Sequence, residues 1–267
     1  MKWGRIILVI FGALVVTALG IDAADTIGGS ESTLLSQVIS KGKGACPSGM
    51  SHVTNIPGLT CVDTYEATTG AKCPVAEPAQ VLATQQNMDE KLCVAESRKE
   101  AFPWRFVTRD QAMQMCARAG KRLPTSEEWY QLSLGMADVE HSCNVSAKVA
   151  TVSGSSLDCV SPGGVYDLVG NVWEWVSDDV INGTYESRQV PETGFVTQVD
   201  TSGMATMTST EHDDLFQNDY FWSRTEGAYG IIRGGYYDSG SDGGIYAVHA
   251  DTPPTTAGIG IGFRCVK

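Results

Sequence analysis

The stretch between Arg233 and Arg264 holds the side chains best suited to meet another molecule in this chain of 267 residues. After Arg233 it reads Gly-Gly-Tyr-Tyr-Asp-Ser-Gly-Ser-Asp-Gly-Gly-Ile-Tyr-Ala-Val-His-Ala-Asp-Thr-Pro-Pro, and neither Lys nor Glu occurs before Arg264. Tyr supplies rigid amphipathic area at low entropic cost, while Ser, Asp and Gly supply adaptable hydrogen bonds, so this mixture suits contact better than catalysis. A plain glycine-rich surface loop has the same composition. A second candidate is Asn171 with Glu174, hard oxygen donors close together beside Trp173 and Trp175. That spacing fits a structural calcium site completed by backbone carbonyls, or a satisfied polar turn under two packed tryptophans. The soft ligands are less promising. There is no Cys-x-x-Cys or His-x-x-x-His spacing, and His52, His141, His212 and His249 are scattered.

A frame must hold these residues, and the composition bounds it. An apolar fraction of 42% can build a sizeable core, which excludes global disorder. The net charge of -12, with no Lys/Arg cluster, argues against a nucleic-acid partner. At the N-terminus Lys2 and Arg5 precede sixteen uncharged residues, Ile6 to Ile21. This is a signal peptide, with Ala18-Leu19-Gly20 for cleavage, or a retained anchor that gives the only contact with a membrane. Residues 1–21 are thus a targeting segment, 22–44 a small-residue polar linker, and 45–267 one domain expected outside the cytoplasm, extracellular or at the cell surface.

Eight cysteines in an exported chain suggest disulfides, although on the order of a hundred connectivities exist. Local spacing suggests Cys46 with Cys61, Cys73 with Cys93 and Cys143 with Cys159, which would leave Cys116 for Cys265. The text from Cys46 to Thr68 breaks at Pro57-Gly58 and reads as a β-hairpin whose second strand carries Val62, Tyr65 and Ala67. Residues 70 to 103 read as irregular. Two helices follow. Thr108 with Gln111, and Thr125 with Glu128, are capping boxes; Ala112, Met115, Cys116 and Ala119 keep helical spacing, and Gly120 stands where a helix stops. The Thr-, Ser-, Asp- and Glu-rich residues 182 to 219 read as a surface insertion. Asn144-Val145-Ser146 and Asn182-Gly183-Thr184 match glycosylation sequons, a weak signal.

Several stretches together resemble the sulfatase-modifying-factor family, the formylglycine-generating-enzyme version of the C-type lectin fold. They are Gly-Lys-Arg-Leu-Pro-Thr-Ser-Glu-Glu-Trp ending at Trp129, Gly-Asn-Val-Trp-Glu-Trp ending at Trp175, Arg233-Gly234-Gly235, and Gly262-Phe263-Arg264-Cys265, with Asp63-x-Tyr65-Glu66 closing the first hairpin. The resemblance implies an α+β fold, two short helices packed on twisted antiparallel sheets, a Cys116–Cys265 bridge, and calcium near Asn171 and Glu174 and near Asn144. The activity does not follow from the fold. The generating enzymes bind copper through two cysteines after the Gly-Gly motif, and here Ser239 and Gly244 stand about there, so no copper is expected and the chain reads as non-catalytic.

The run from Arg233 to Cys265 is similar to the variable repeat of proteins targeted by diversity-generating retroelements, where scaffold residues stay fixed while substituted positions change. That likeness implies a ligand-binding face made of Tyr236, Tyr237, Asp238, Ser239, Asp242, Tyr246 and His249, with Tyr220 and Trp222 at its edge. The partner it implies is a macromolecule, a protein on another cell or particle. A metal-dependent oxidase of the same fold and a structural envelope protein are the alternative readings.

Overall fold

The computed structural model describes residues 46–136 and 142–267, so the expectations for the targeting segment and linker fall outside the described residues. The first hairpin is short, β1 (Met50–His52) against β2 (Cys61–Asp63). Tyr65 lies beyond it, and Ala67 begins β3 (Ala67–Thr69), which pairs with β4 (Ala95–Ser97). Residues 70–103 are not irregular throughout. They hold α1 (Val81–Asp89) as well as β4. The helix has no side-chain cap and carries exposed Val81 and Leu82, so neither caps nor apolar spacing marked it. Its hold is tertiary: Asn87 exchanges two 2.8 Å hydrogen bonds with the Val75 backbone, and Thr84 Oγ1 accepts from Trp104 Nε1 at 3.1 Å.

The two capped helices form as their sequences dictate. In α2 (Arg109–Arg118) Thr108 and Gln111 cap each other's backbone, and Gly120 follows at φ +68°. In α3 (Ser126–Ser133) Thr125 and Glu128 do the same, with Arg122 gripping the Glu128 carboxylate at 2.6 Å. Both helices pack on β5 (Trp173–Ile181), the centre of the large sheet.

Among the described residues that sheet has nine strands. Strand β5 is flanked by β11 (Ala228–Arg233) and by β13 (Ile261–Phe263), and at its far end by the hairpin β6 (Thr184–Tyr185) and β7 (Arg188–Gln189). Beyond β11 come β12 (Val248–Thr252), β10 (Tyr220–Trp222), β8 (Gly194–Val199) and β9 (Ala205–Ser209). Two pairings, β13 with β5 and β10 with β12, are parallel, which the antiparallel expectation did not include. Residues 182–219 are sheet as well as loop, since they supply β6 to β9. Their polar composition concealed the alternation of Val196 inward and Phe195 outward.

The four disulfides are Cys46–Cys61, Cys73–Cys93, Cys116–Cys265 and Cys143–Cys159. The third closes 149 residues and joins α2 to the strand end after β13, the kind of long closure that constrains an unfolded chain most.

Candidate functional site

Two arginines frame the C-terminal segment, and both are fully buried. Arg264 forks onto Glu174, Nε to Oε2 at 2.7 Å and Nη2 to Oε1 at 2.6 Å, and donates to the Asp63 and Tyr166 carbonyls. Burial alone would lower its pKa, but the Glu174 charge and hydrogen bonds outweigh it and the value rises. Among the described residues Arg233 has no carboxylate in hydrogen-bond contact. It donates to Ser126 Oγ at 2.6 Å and to the carbonyls of Ser202, Gly203 and Ile245, and lies 5.1 Å from the Trp129 ring centroid. Its pKa is pushed down to about 10 by desolvation. Arg233 therefore ties α3, the loop before β9 and the segment at Ile245 into one piece.

The chain then turns outward at Gly234, φ +95°, where a Cβ would lie 2.2 Å from the Leu168 carbonyl oxygen. Only glycine passes that point without displacing backbone.

Past this turn the expected contact residues separate. Asp238 is exposed and pairs with Lys148; Ser241 is exposed, and Asp242 half-buried, on a short 3-10 turn. Ser239 Oγ accepts the Tyr236 N–H at 2.9 Å, and the half-buried Tyr236 ring lies over Gly260. Tyr237 is 7% exposed, so it is scaffold and not surface as expected. Its carbonyl accepts the Lys148 N–H at 2.9 Å. Tyr246 is half-buried and packs against Phe216 and Tyr130, with ring centroids 5.1 and 6.0 Å away, at the edge of the main core cluster.

Along β12 the burial alternates, with Val248, Ala250 and Thr252 inward and His249 and Asp251 outward. His249 stacks on Trp222 at 3.9 Å and 8°, meets the edge of Trp173 at 5.0 Å, and shares a 3.0 Å hydrogen bond with Asp251 through Nδ1. Trp222 in turn touches Tyr220, and Tyr220 touches Phe195. Tyr236 and His249 meet at a groove of about 470 Å³ whose floor includes Trp173 and Ile232 and whose rim carries Asp251 and Ile259. Phe195 was missed in the sequence. Asp251 was readable from the period-2 alternation after Val248.

Of the oxygen donors considered for calcium, Asn144 and Asn171 come together, whereas Glu174 is engaged by Arg264. Asn144 and Asn171 meet, Nδ2 to Oδ1 at 3.1 Å, and Asn171 Nδ2 donates to Glu66 Oε2 at 2.6 Å. Glu174 has both oxygens taken by Arg264, and Trp129 Nε1 adds a bond at 2.8 Å. Buried Glu66 is the acid at this place instead. Burial, then the Asp167 and Glu174 charges, hold its carboxyl well above the usual range. Asp167 is pushed up to about 6, mainly by burial. Glu66 Oε1 and Asn144 Oδ1 are buried and have no hydrogen-bond partner among the described residues. Among the described residues no three His, Cys, Asp or Glu side chains gather as a metal-binding group.

Residues 135–267 match the model of the sulfatase-modifying factor enzyme 1-like domain. Serine/threonine-protein kinase pkn1 of Chlamydia pneumoniae is 29% identical over 157 residues, 55% of this chain but 21% of that protein, so the match spans about a fifth of the relative's length. Among solved structures, the Major Tropism Determinant I1 variant superposes with a TM-score of 0.47 at 17% identity, covering 84% of this chain and 53% of that one. CarF gives 0.41 at 14% identity, over 82% and 95% of the two chains. PvdO from Pseudomonas aeruginosa gives 0.37 at 15% identity, over 81% and 89%.

Proposed function

From the membership of residues 135–267 in the sulfatase-modifying factor enzyme 1-like family, we propose that this chain is an exported, non-catalytic ligand-binding protein. Its recognition surface is the outward side of the segment between Arg233 and Arg264, diversified by a retroelement. The observation that carries this reading is the division of labour within one segment. Arg233, Gly234, Val248, Ala250 and Arg264 are buried and fixed, while Asp238, Ser241, Asp242 and His249 point outward from them. Surface substitutions usually move stability by less than about 0.5 kcal/mol, so such a frame tolerates change where recognition needs it.

The oxidase alternative lacks its ligands. All eight cysteines are in disulfides, leaving no thiolate for Cu(I). Those disulfides support an oxidising compartment. The partner is a protein on another cell or particle, and the acidic charge speaks against nucleic acid. Calcium belongs to the proposal at the Glu66 and Asn144 end of the polar cluster, with Asn171, where it would supply charge to a buried acid; chelation then lowers the melting temperature and calcium restores it.

The test is a library randomised at Asp238, Ser241 and Asp242, selected against unrelated protein targets. Folded binders are the expected outcome, and a reverse transcriptase with an Asn-codon-rich imperfect repeat beside the gene is expected as well. A library that unfolds as a population overturns the reading.

A further inference from the structure

The sheet carries a second feature that the outward loop does not explain. On its main-core side Val196, Phe221, Val248 and Ala250 are buried. On the opposite side of the same strands runs a row of four half-buried rings across three strands. Phe195 of β8 is the register partner of Tyr220 in β10, and Trp222 of β10 is the partner of His249 in β12. Successive ring centroids are 4.8 Å (Phe195 to Tyr220), 4.7 Å (Tyr220 to Trp222) and 3.9 Å (Trp222 to His249). Exposed His212 adds a ring 3.9 Å from Phe195 at the outer end. Interlocked rings of this kind form a stiff surface, and contact with it costs little side-chain entropy.

The charges that flank the row in sequence are mainly acidic. Between Ser209 and Glu226 the surface carries Glu211, Asp213, Asp214 and Glu226 against the single cation Arg224, while Asp219 is buried. Immediately after Trp222 lies an open groove of about 460 Å³ whose walls include Glu192, Glu226 and Tyr229. Arg224, in the same groove, already lies 3.7 Å from the Asp251 carboxylate beside His249. Rings flanked by carboxylates suit a planar, weakly hydrated cation that stacks while it forks onto oxygen, which describes arginine better than lysine.

We propose that the aromatic row Phe195, Tyr220, Trp222 and His249, with its acidic border, is a docking surface for an arginine-bearing protein segment. This deepens the recognition reading, because Trp222 and His249 border the outward segment, and it names the chemistry of the partner.

Oligo-arginine, oligo-lysine and Gly-Ser peptides are titrated into the full chain at about 0.15 M salt, following heat and the indole N–H signal of Trp222. Oligo-arginine binds, shifts the Trp222 signal and binds more tightly than oligo-lysine; the Gly-Ser peptide does neither. Tyr220→Ala weakens oligo-arginine about fivefold. Because loss of a ring can disturb the fold, a charge pair provides a second test. Glu192→Gln with Glu226→Gln weakens binding about threefold or more, whereas the distant pair Asp89→Asn with Glu127→Gln leaves it within a factor of about 1.5. Equal weakening by the two pairs means that only the overall negative charge is sensed, and it overturns the proposal, as does failure of oligo-arginine to bind. Neither result touches the outcome of the Asp238, Ser241 and Asp242 library, so the two readings fail separately.

Discussion

The inward and outward sides of the segment from Arg233 to Arg264 are made from neighbouring residues and obey opposite rules. Inward, the hydrogen bonds reach far along the chain: Arg264 finds Glu174 across 90 residues, and the Cys265 N–H finds Asp63 across 202. Outward, Asp238 and Ser241 are exposed, and the Asp238–Lys148 pair is of the kind that contributes little. The difference shows how one stretch can be fixed in backbone and free in side chain. Burial and long-range bonds hold the path, while at the tip the exposed Asp238–Lys148 pair adds little.

The largest break in that contrast is Arg264→Ala, which leaves Glu174 buried without its cation. It should cost about 3–5 kcal/mol in denaturant unfolding, enough to make the isolated chain marginal. Next is Gly234→Ala, where a Cβ meets the Leu168 carbonyl at a positive φ; a loss of about 1–3 kcal/mol by the same measurement is expected. A smaller effect tests the acids behind the segment. Asp167 and Glu66 have folded pKa values raised by burial, so the stability they contribute is full below their unfolded values, near 4, and is lost as pH rises, for Asp167 through about 6. In chelator, the melting temperature should therefore fall between about pH 4 and 6 relative to Asp167→Asn. The smallest effect is on the outward side. Asp238→Ala with Ser241→Ala should shift unfolding by less than about 0.5 kcal/mol, and a shift comparable to that of Gly234→Ala would erase the distinction between the two sides.

Much of the frame was legible locally. Both capping boxes lie where Thr-x-x-Gln and Thr-x-x-Glu placed them, because a cap needs only three residues of sequence. Helix α1 was not legible, since its bonds reach Val75 and Trp104 and it shows no cap of its own. The candidate site divides in the same way. Asp238 is exposed and His249 and Tyr246 are half-buried, whereas Tyr237 is buried, because a tyrosine beside glycines reads the same buried or exposed.

The sequence by itself determined the stops and starts of α2 and α3, the local cysteine pairs, and the alternation that sets His249 and Asp251 on one face of β12. These depend on contacts a few residues apart and on a strand's two-residue period. Only the tertiary structure decided which face that is, which rings line it and which acids surround Arg264. A period says that side chains share a side, but the side given to solvent is fixed by what distant strands bring against the other.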